Sequence, residues 1–450
     1  MEQKNLFKKD DIDTFLRKVI VLAVPVALQS MLQASFGVAD QVMIGQLGGV
    51  EVAAVGLAGK FTGIFNVVVS AVGAVAGIMI SQYMGQKNAA KTRQSMLFNL
   101  RVCLMLAALF TLAGIAAPKQ IMSLYINDAV AAEAAGRYLF IVSGTFFPAA
   151  GITILSTQLR CMEKASLPLY AGIASAAVNT GLNWILIFGR LGAPALGITG
   201  AALATLVSQL VYFLVILVMY LKYRERTESA AAGFFDWKQY LSMLLPLLAS
   251  EFMWVLGENV YAGIYGHLGT DASAAMTLTN PVQALAMGAL CGLSQAAAIL
   301  IGKRLGDGDR EMAYREAKKL LFYGLVGSLI LSAAILYIRH WYVCIFKVED
   351  SVRELTAWIL TAYAAVMPFK VLNMIIGSGI LRSGGKTTYV MAIDLMGTWI
   401  FGVPLGFLTA FVFHWSIPLV YFTLSLEECV RFAVSLVVFR RRGWMNQLKA

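Results

Sequence analysis

Two carboxylates stand in a stretch of the chain that is apolar enough to lie in lipid. Residues 247–269 read LLASEFMWVLGENVYAGIYGHLG, and Glu251 and Glu258 lie seven positions apart in them. Seven residues are almost two helical turns, so both side chains lie on one face of a helix. A charge at the centre of a membrane helix costs about 2.5–3.5 kcal/mol on insertion scales, so that face should meet a polar interior. We expect both glutamates to take part in ion coupling.

A third carboxylate, Asp40, lies at a similar depth in the first apolar segment. Asn179 and Asn183 are four residues apart on the fifth segment, and Thr205 lies on the sixth. A carboxylate desolvated in a low-dielectric pocket can hold a proton, whereas one surrounded by oxygen atoms can hold Na⁺. We therefore expect these four residues to couple an ion to transport, with Asp40, Asn179 and Asn183 as a candidate Na⁺ site.

Two lysines are candidate partners for these acids. Lys370, in the tenth segment, is a plausible counter-charge for Glu251 or Glu258 and lies where a cavity is expected. Lys60, early in the second segment, could serve Asp40 in the same way.

The remaining charges in apolar segments have weaker interpretations. Glu427 and Arg431 have i,i+4 spacing and are expected to neutralise one another. Asp394 lies within two turns of the end of its segment, where it either contacts water or lines the cavity. Arg101 has no predicted partner.

The composition is that of a membrane protein. Hydrophobic residues make up 59% of the 450-residue chain and charged residues 14%, against about 25% charged in soluble proteins. Apolar runs of about 20 residues, which cross a ~30 Å hydrocarbon core, recur throughout. The polar first residues lead into a segment too long for a signal peptide, so we expect it to be retained. The twelve predicted spans are 17–44, 54–84, 93–116, 135–159, 167–189, 196–221, 239–267, 273–301, 316–338, 354–381, 388–411 and 416–439.

Positive charge is placed asymmetrically between these spans. The net charge is +11, and 26 lysines and arginines fall in the termini and even-numbered loops, against six in the opposite loops. By the positive-inside rule, both termini are cytoplasmic in a multi-pass protein of the cell membrane. The basicity is thus a topology signal, and we expect no nucleic-acid partner.

The sequence contains two weak copies of one pattern. IGQLG (44–48) returns as YGHLG (265–269), and AGIMISQYMGQ (76–86) aligns without a gap on AAILIGKRLGD (297–307) at the same offset. Six spans is an even number, so both copies enter the membrane from the same side. We predict an all-α membrane protein with two six-helix lobes, 1–221 and 239–450, joined by a cytoplasmic linker at 222–238. A pseudo-two-fold axis along the membrane normal would relate the lobes around a central cavity.

Adaptable apolar side chains could line that cavity. Methionine and aromatic residues repack around varied ligands and attract cations through their rings or sulfur atoms. The candidate cavity residues are Phe36, Phe65, Met31, Met253, Trp254 and Met287, together with Lys370 and Asp394.

In their order and spacing, six segments resemble the multidrug and toxic compound extrusion (MATE) family. They are ADQVMIGQLGGVEVAAVGLA (39–58), SQYMGQ (81–86), NTGLNWILIFG (179–189), LGITGAALAT (196–205), GHLGTDASAA (266–275) and GILRSGGKT (379–387). The resemblance implies two lobes in a V shape and export of bulky, often cationic amphiphiles in exchange for Na⁺ or H⁺. It also implies an N-lobe cluster at Asp40, Asn179 and Asn183.

The chain departs from this family at two points. Some members carry an aspartate on the fifth helix where this chain has Asn183. Members with a C-lobe Na⁺ site carry an aspartate on the tenth helix, where Lys370 and Val371 stand here. The resemblance, with these departures, favours H⁺ over Na⁺ as the coupling ion. It implies no cofactor, and a two-lobe carrier can work as a monomer.

Other functions fit less well. A lipid-linked saccharide flippase of the same superfold should carry more cationic charge in its cavity. The charged residues deep inside the apolar segments are instead six acids and four bases, namely Asp40, Glu251, Glu258, Asp394, Glu427 and Glu428 against Lys60, Arg101, Lys370 and Arg431. A major-facilitator carrier should have a GxxxDRxGRR-type loop, but GQKNAAKTR (85–93) stands in its place. A membrane-embedded transferase lacks its DDxxD, HxxxxD or HExxH motif. A channel does not need two lobes. We therefore expect a transporter and not an enzyme.

Overall fold

A computed structural model describes residues 9–126, 128–224 and 236–449, with side chains from residue 14 onward. This part of the chain is helical and contains no strand. The α-helices are α1 (Lys9–Gly45), α2 (Gly49–Gly85), α3 (Ala89–Ala116), α4 (Pro118–Ser123), α5 (Ala129–Val142), α6 (Phe146–Cys161), α7 (Ser166–Phe188), α8 (Ile198–Tyr223), α9 (Trp237–His267), α10 (Thr270–Gly306), α11 (Arg310–Cys344), α12 (Asp350–Asn373), α13 (Thr387–Leu395), α14 (Val403–Phe407), α15 (Ile417–Ser425) and α16 (Glu427–Arg440).

Helices long and apolar enough to cross a membrane account for eleven of the twelve predicted spans within the described residues. The fourth span joins α5 and α6 through a short 3₁₀ turn at Ser143–Thr145. The twelfth falls on α15 and α16, which a turn at Leu426 separates. This break directly precedes the charged residues Glu427 and Glu428.

Three helices begin at an aspartate that caps them. Asp128 accepts hydrogen bonds from the backbone N–H groups of Val130 and Ala131 at the start of α5. Asp236 and Asp309 do the same for α9 and α11. Such caps satisfy N–H groups that have no partner within the helix, and they place the helix starts at the ends of the spans.

Three π-helical segments interrupt the tenth and eleventh spans. They cover Met374–Leu381, Met396–Gly402 and Leu408–Val412. A π-turn widens the helix and re-aims the side chains that follow it, and such turns are frequent at functional sites.

The described residues fall into two compact units. The first-half unit comprises the described residues of Leu28–Ile80 and Ala89–Gly233. The second-half unit comprises the described residues of Met1–Ala27, Ser81–Asn88 and Phe234–Ala450. The start of α1 and the end of α2 thus pack with helices of the second repeat. The lobe boundaries at 221 and 239 stay a prediction, and most of the predicted linker, 225–235, lies outside the described residues.

An aromatic cluster forms part of the core of the first-half unit. Phe65 is fully buried, with its ring centroid 4.4 Å from that of Phe146 and 5.4 Å from that of Phe110. The ring of Phe61, one helical turn before Phe65, packs against the rings of Phe110 and Phe146. These rings join α2, α3 and α6 in the core of the unit.

A reciprocal contact between α2 and α10 lies inside the second-half unit. A Cβ atom on Gly85 would collide with the backbone carbonyl of Lys303, and one on Gly306 would collide with that of Gln82. In the alignment of the two copies, Gly85 falls on Gly306 and Gln82 falls on Lys303. The crossing is therefore repeat-related, as a local two-fold arrangement of the two copies requires. Only glycine permits so close an approach of two backbones.

Candidate functional site

Asp40 is held by an asparagine from another helix. The Nδ2 atom of Asn183 on α7 donates to Oδ1 of Asp40 on α1 over 2.7 Å, and to Oδ1 of Asn179 over 3.2 Å. The i,i+4 spacing of the two asparagines places both on one face of α7. The structure thus brings together the three residues predicted as a cluster.

The network continues onto α8. Nδ2 of Asn179 lies 3.3 Å from the hydroxyl of Ser208, which in turn donates to the carbonyl of Thr205 over 2.9 Å. The hydroxyl of Thr205 donates to the carbonyl of Ala201. Thr205 therefore lies beside the cluster, as predicted, with its hydroxyl proton already committed. Ser208, which sequence reasoning missed, links α8 to the amides.

One acceptor in this cluster has no partner. Asn183 is only 1% exposed, and its Oδ1 atom is buried and receives no hydrogen bond. An unsatisfied buried polar atom is costly, so such a position commonly serves a ligand. The carboxylate of Asp40 and the amide oxygens of Asn179 and Asn183 are oxygen atoms of the kind that suits a proton or a hard cation such as Na⁺. In this structure Nδ2 of Asn183, and not its oxygen, faces Asp40 and Asn179.

A cavity of about 240 Å³ lies against this cluster within the first-half unit. Its walls come from α1, α7 and α8. The lining residues are Gln29, Leu32, Gln33, Phe36, Gly37, Asp40, Leu169, Gly172, Ser175, Ala176, Asn179, Thr205, Ser208, Gln209 and Tyr212. Gln29, Gln33, Phe36 and Asp40 follow one another on one face of α1, so the cavity extends about 16 Å along that helix at 1.5 Å per residue.

The end of the cavity farthest from Asp40 is built from hydrogen-bonding groups. Gln29 donates to the hydroxyl of Tyr212 over 2.7 Å and accepts from Nη2 of Arg160 over 2.9 Å. Tyr212 also donates to the carbonyl of Pro168. Arg160 is part of helix α6, one residue beyond the predicted end of that span.

Glu251 pairs with a different cation from the one predicted. Its Oε1 atom lies 3.3 Å from both terminal nitrogens of Arg382, which follows the π segment Met374–Leu381. Lys370 was the predicted counter-charge for Glu251 or Glu258, and the structure gives Glu251 this other partner. Glu251 and Glu258 share α9, but Glu251 is neutralised by this partner.

Lys370 lies instead in a cluster of tyrosines and acids. Its ammonium is 6.0 Å from the ring centroid of Tyr363 and interacts electrostatically with Tyr421, Glu428 and Glu258. Among the described residues no ion pair or hydrogen bond joins Lys370 to Glu258, so that pairing stays a prediction. Nδ2 of Asn373, one turn further along, donates to Oε2 of Glu428 over 2.8 Å.

The other predicted charges are placed as follows. Glu427 and Arg431 form the expected i,i+4 ion pair at 3.7 Å, and the hydroxyl of Tyr261 donates to Glu427 over 2.6 Å. Asp394 accepts a hydrogen bond from the hydroxyl of Ser250 over 2.5 Å.

The last two bases in the apolar segments, Lys60 and Arg101, do not contact the cluster around Asp40. Lys60 is exposed, and the structure, which describes both side chains, records no ion pair between Lys60 and Asp40. The predicted pairing is thus wrong. Arg101 is exposed on α3.

The candidate apolar residues separate into three groups. Phe36 lines the cavity beside Asp40. Phe65 belongs to the buried aromatic cluster and does not line it, because its ring is enclosed by Phe110 and Phe146. Met31, Met253 and Met287 are partly buried, and Trp254 is exposed on α9.

The chain is similar in sequence to bacterial transporters over most of its length. It is 24% identical over 413 residues to a probable multidrug resistance protein NorM of Agrobacterium fabrum, covering 88% of this chain and 87% of the relative. It is 27% identical over 405 residues to a probable NorM of Bradyrhizobium diazoefficiens, covering 87% and 85%. It is 25% identical over 408 residues to the multidrug resistance protein MdtK of Yersinia pseudotuberculosis, covering 87% of each chain.

Solved structures share the fold. A crystal structure of MATE in complex with MaL6 superposes with a TM-score of 0.87 at 18% identity, covering 94% of this chain and 95% of that one. A MOP superfamily transporter from Pyrococcus furiosus, described as having a binding pocket of reverse polarity, superposes with a TM-score of 0.85 at 17% identity and the same coverage.

A sequence profile of the MatE family matches the chain twice, at residues 25–185 and 246–408. The second match begins one repeat length after the first, at the same offset as the repeated motifs. Together the matches cover more than half of the chain, with one copy of the pattern in each repeat. The chain therefore belongs to the MATE family of membrane transporters.

Proposed function

We propose that the chain is an antiporter that exports amphiphilic, often cationic small molecules in exchange for a cation, with H⁺ favoured over Na⁺. The observation that carries this proposal is the charge of the cavity. Among its lining residues, all of which the structure describes, Asp40 alone is charged. A single carboxylate in an otherwise apolar and amide-lined cavity attracts a lipophilic cation. When no such cation is bound, the carboxylate takes up a proton.

Competition for Asp40 would couple the two movements. A proton that binds Asp40 removes the charge that holds the cationic substrate, so the substrate leaves on the outward-facing side. The empty, protonated protein then returns inward, where loss of the proton restores the site. Antiport follows because proton and substrate occupy the same carboxylate in turn.

The second-half unit supports the preference for H⁺. Arg382 already neutralises Glu251, and the ammonium of Lys370 lies among Tyr421, Glu258 and Glu428. An internal ammonium supplies the positive charge that a bound metal ion would otherwise bring. We therefore assign coupling to Asp40, with Asn179, Asn183 and Thr205 around it, and give Glu258 a secondary role.

The substrate range and placement rest on the relatives and the charge pattern. Relatives bear the name multidrug resistance protein. The excess of lysine and arginine in alternate loops favours cytoplasmic termini in the cell membrane. The cavity is built within one chain, so a monomer suffices.

A flippase for lipid-linked saccharides is the alternative. Two further bases, Arg160 and Arg382, lie at the ends of membrane helices. When they are added to the charges inside the apolar segments, acids no longer outnumber bases. Neither arginine lines the cavity, whose one charge is negative. A pyrophosphate would meet repulsion at Asp40, which disfavours this alternative.

The test is proton-driven transport of ethidium into inverted vesicles. We expect Asp40→Asn to abolish the response to an imposed pH gradient. Asp128→Asn is the matched control, because it removes the same charge from a helix cap outside the cavity and leaves a residue that still caps. Asp40→Asn vesicles that transport as well as the parent would refute the coupling role. A response to a Na⁺ gradient alone would transfer the coupling to Na⁺.

A further inference from the structure

The chain continues past α16 as a packed non-helical segment. We call residues 441–449 the strap. Trp444 is fully buried, and Met445 and Leu448 are each 5% exposed. The ring of Trp444 stacks on Phe439 of α16 with a centroid distance of 5.8 Å, and Phe439 stacks on Tyr314 of α11 at 4.9 Å. The strap is therefore an integral part of the second-half unit.

One buried glutamine on α2 binds the backbone of the strap. The side chain of Gln82 is fully buried. Its Oε1 atom accepts from the N–H of Leu448 over 2.7 Å, and its Nε2 atom donates to the carbonyl of Asn446 over 3.1 Å. Nε2 also donates to the carbonyl of Ser383 over 2.6 Å. Gln86, one turn further along, donates to the carbonyl of Leu448 over 2.8 Å.

Separate contacts hold the strap to helices of the second repeat. Nε2 of Gln447 donates to the carbonyl of Gly306 over 2.6 Å. Arg442 forms an ion pair with Glu311 and lies 4.2 Å above the ring of Tyr314. Together with the stacked rings, these contacts join the strap to α10, α11 and α16.

The two sets of contacts differ in chemistry. The contacts with α2 from Gln82 and Gln86 are hydrogen bonds, which water can replace at a modest net cost. Trp444 of the strap buries aromatic surface against Phe439 of α16, which water cannot replace, and Arg442 adds an ion pair and a ring contact with α11. When the assembly opens, the side facing α2 is thus the one that separates.

We infer that the strap is a releasable catch on the end of α2. It holds this first-repeat helix against the second repeat at the glycine crossing of α2 and α10. The inference rests on the proposed function, because alternating access with cytoplasmic termini requires the cytoplasmic ends of the two repeats to part. The strap leaves Gln82 and Gln86 in that step and stays on α11 and α16.

Two cysteine pairs test this inference in the full-length chain. Gln86→Cys with Leu448→Cys joins the strap to α2, and Glu311→Cys with Arg442→Cys joins it to α11. Both are treated with the same short, reducible bifunctional thiol reagent in vesicles, beside the parent chain with its native cysteines. We expect the first cross-link to stop proton-driven ethidium transport until it is reduced, and the second to leave transport unchanged. Transport that survives the first cross-link, or is lost equally with both, overturns the inference.

A second readout separates the catch from the proposed function. Leu448 is buried, and its backbone is bound by Gln82 and Gln86, so a membrane-permeant maleimide should label Leu448→Cys slowly in the closed protein and faster when an imposed gradient drives the cycle. Transport before cross-linking tests the proposed function by itself. If the unlinked variants transport nothing, the proposed function fails, and labelling that no gradient changes overturns the catch.

Discussion

The carboxylate of Asp40 accepts a hydrogen bond from one of the two asparagines near it. Asn183 donates to its carboxylate over 2.7 Å, whereas Asn179 contacts Asn183 and Ser208. A hydrogen bond to the charged form of a carboxylate favours that form over the protonated one. The two asparagines, four residues apart on one helix, should therefore affect coupling differently.

Replacing Asn183 by leucine should move the pH profile of transport. The charged form of Asp40 loses a hydrogen bond worth about 1.5–3 kcal/mol, so protonation becomes easier and the profile shifts by roughly one to two pH units towards higher pH. Transport rates measured over a pH series report this shift. Asn179→Leu is the comparison and should shift the midpoint less, because Asn179 reaches Asp40 only through Asn183. A shift to lower pH, or equal shifts in both variants, would refute the assigned roles.

Gln33 should determine which cations bind well. It lines the cavity two turns from Asp40, near the amide end formed by Gln29 and Tyr212. Gln33→Leu removes one hydrogen-bonding group, worth about 0.5–1.5 kcal/mol, so KM should rise about two- to tenfold for a cation with a hydrogen-bonding tail. Tetraphenylphosphonium, which has no such group, serves as the control ligand and should show an unchanged KM. Equal changes for both ligands would contradict this assignment.

At the scale of helices, the crossing of α2 and α10 depends on two repeat-related glycines. Cβ atoms at Gly85 and Gly306 would each meet a backbone carbonyl that cannot rotate away. Gly85→Ala and Gly306→Ala should therefore each lower the free energy of unfolding by about 1–3 kcal/mol, and by similar amounts. Thermal unfolding in detergent measures both effects.

Gly263 provides the comparison for these variants. It lies inside α9 with open space where a Cβ would stand. Gly263→Ala should stabilise by up to about 1 kcal/mol through helix propensity alone. If Gly85→Ala and Gly306→Ala behave like Gly263→Ala, the crossing does not have the close packing described here.

The sequence predicted spans and their acids better than the partners of those acids. Asp40, Asn179 and Asn183 could be found because each interrupts an apolar run and the asparagines share a helical face. Arg160 and Arg382 were missed because each lies one residue beyond the predicted span end, where a charge itself had ended the apolar run. The helix continues past both positions. The π segments were not predictable, since a wider turn leaves no periodic signature in so uniformly apolar a sequence.

Across the whole molecule, duplication is the feature that sequence and structure describe in the same terms. One repeat offset appears in the motifs, in the two family matches and in the glycine crossing. The copies nevertheless differ in charge. The first carries a lone carboxylate in its cavity, and the second carries paired acids and bases around Lys370. This difference is the reason why we propose that ion exchange takes place in the first copy.

Substrate-driven proton movement tests the central claim most directly. Proteoliposomes without any ion gradient carry a pH indicator inside, and tetraphenylphosphonium is added outside. Because each substrate cation that enters must displace a proton from Asp40, we predict that the interior becomes alkaline with the parent protein and stays constant with Asp40→Asn. Substrate entry without a pH change, or the same alkalinisation with Asp40→Asn, would contradict the account.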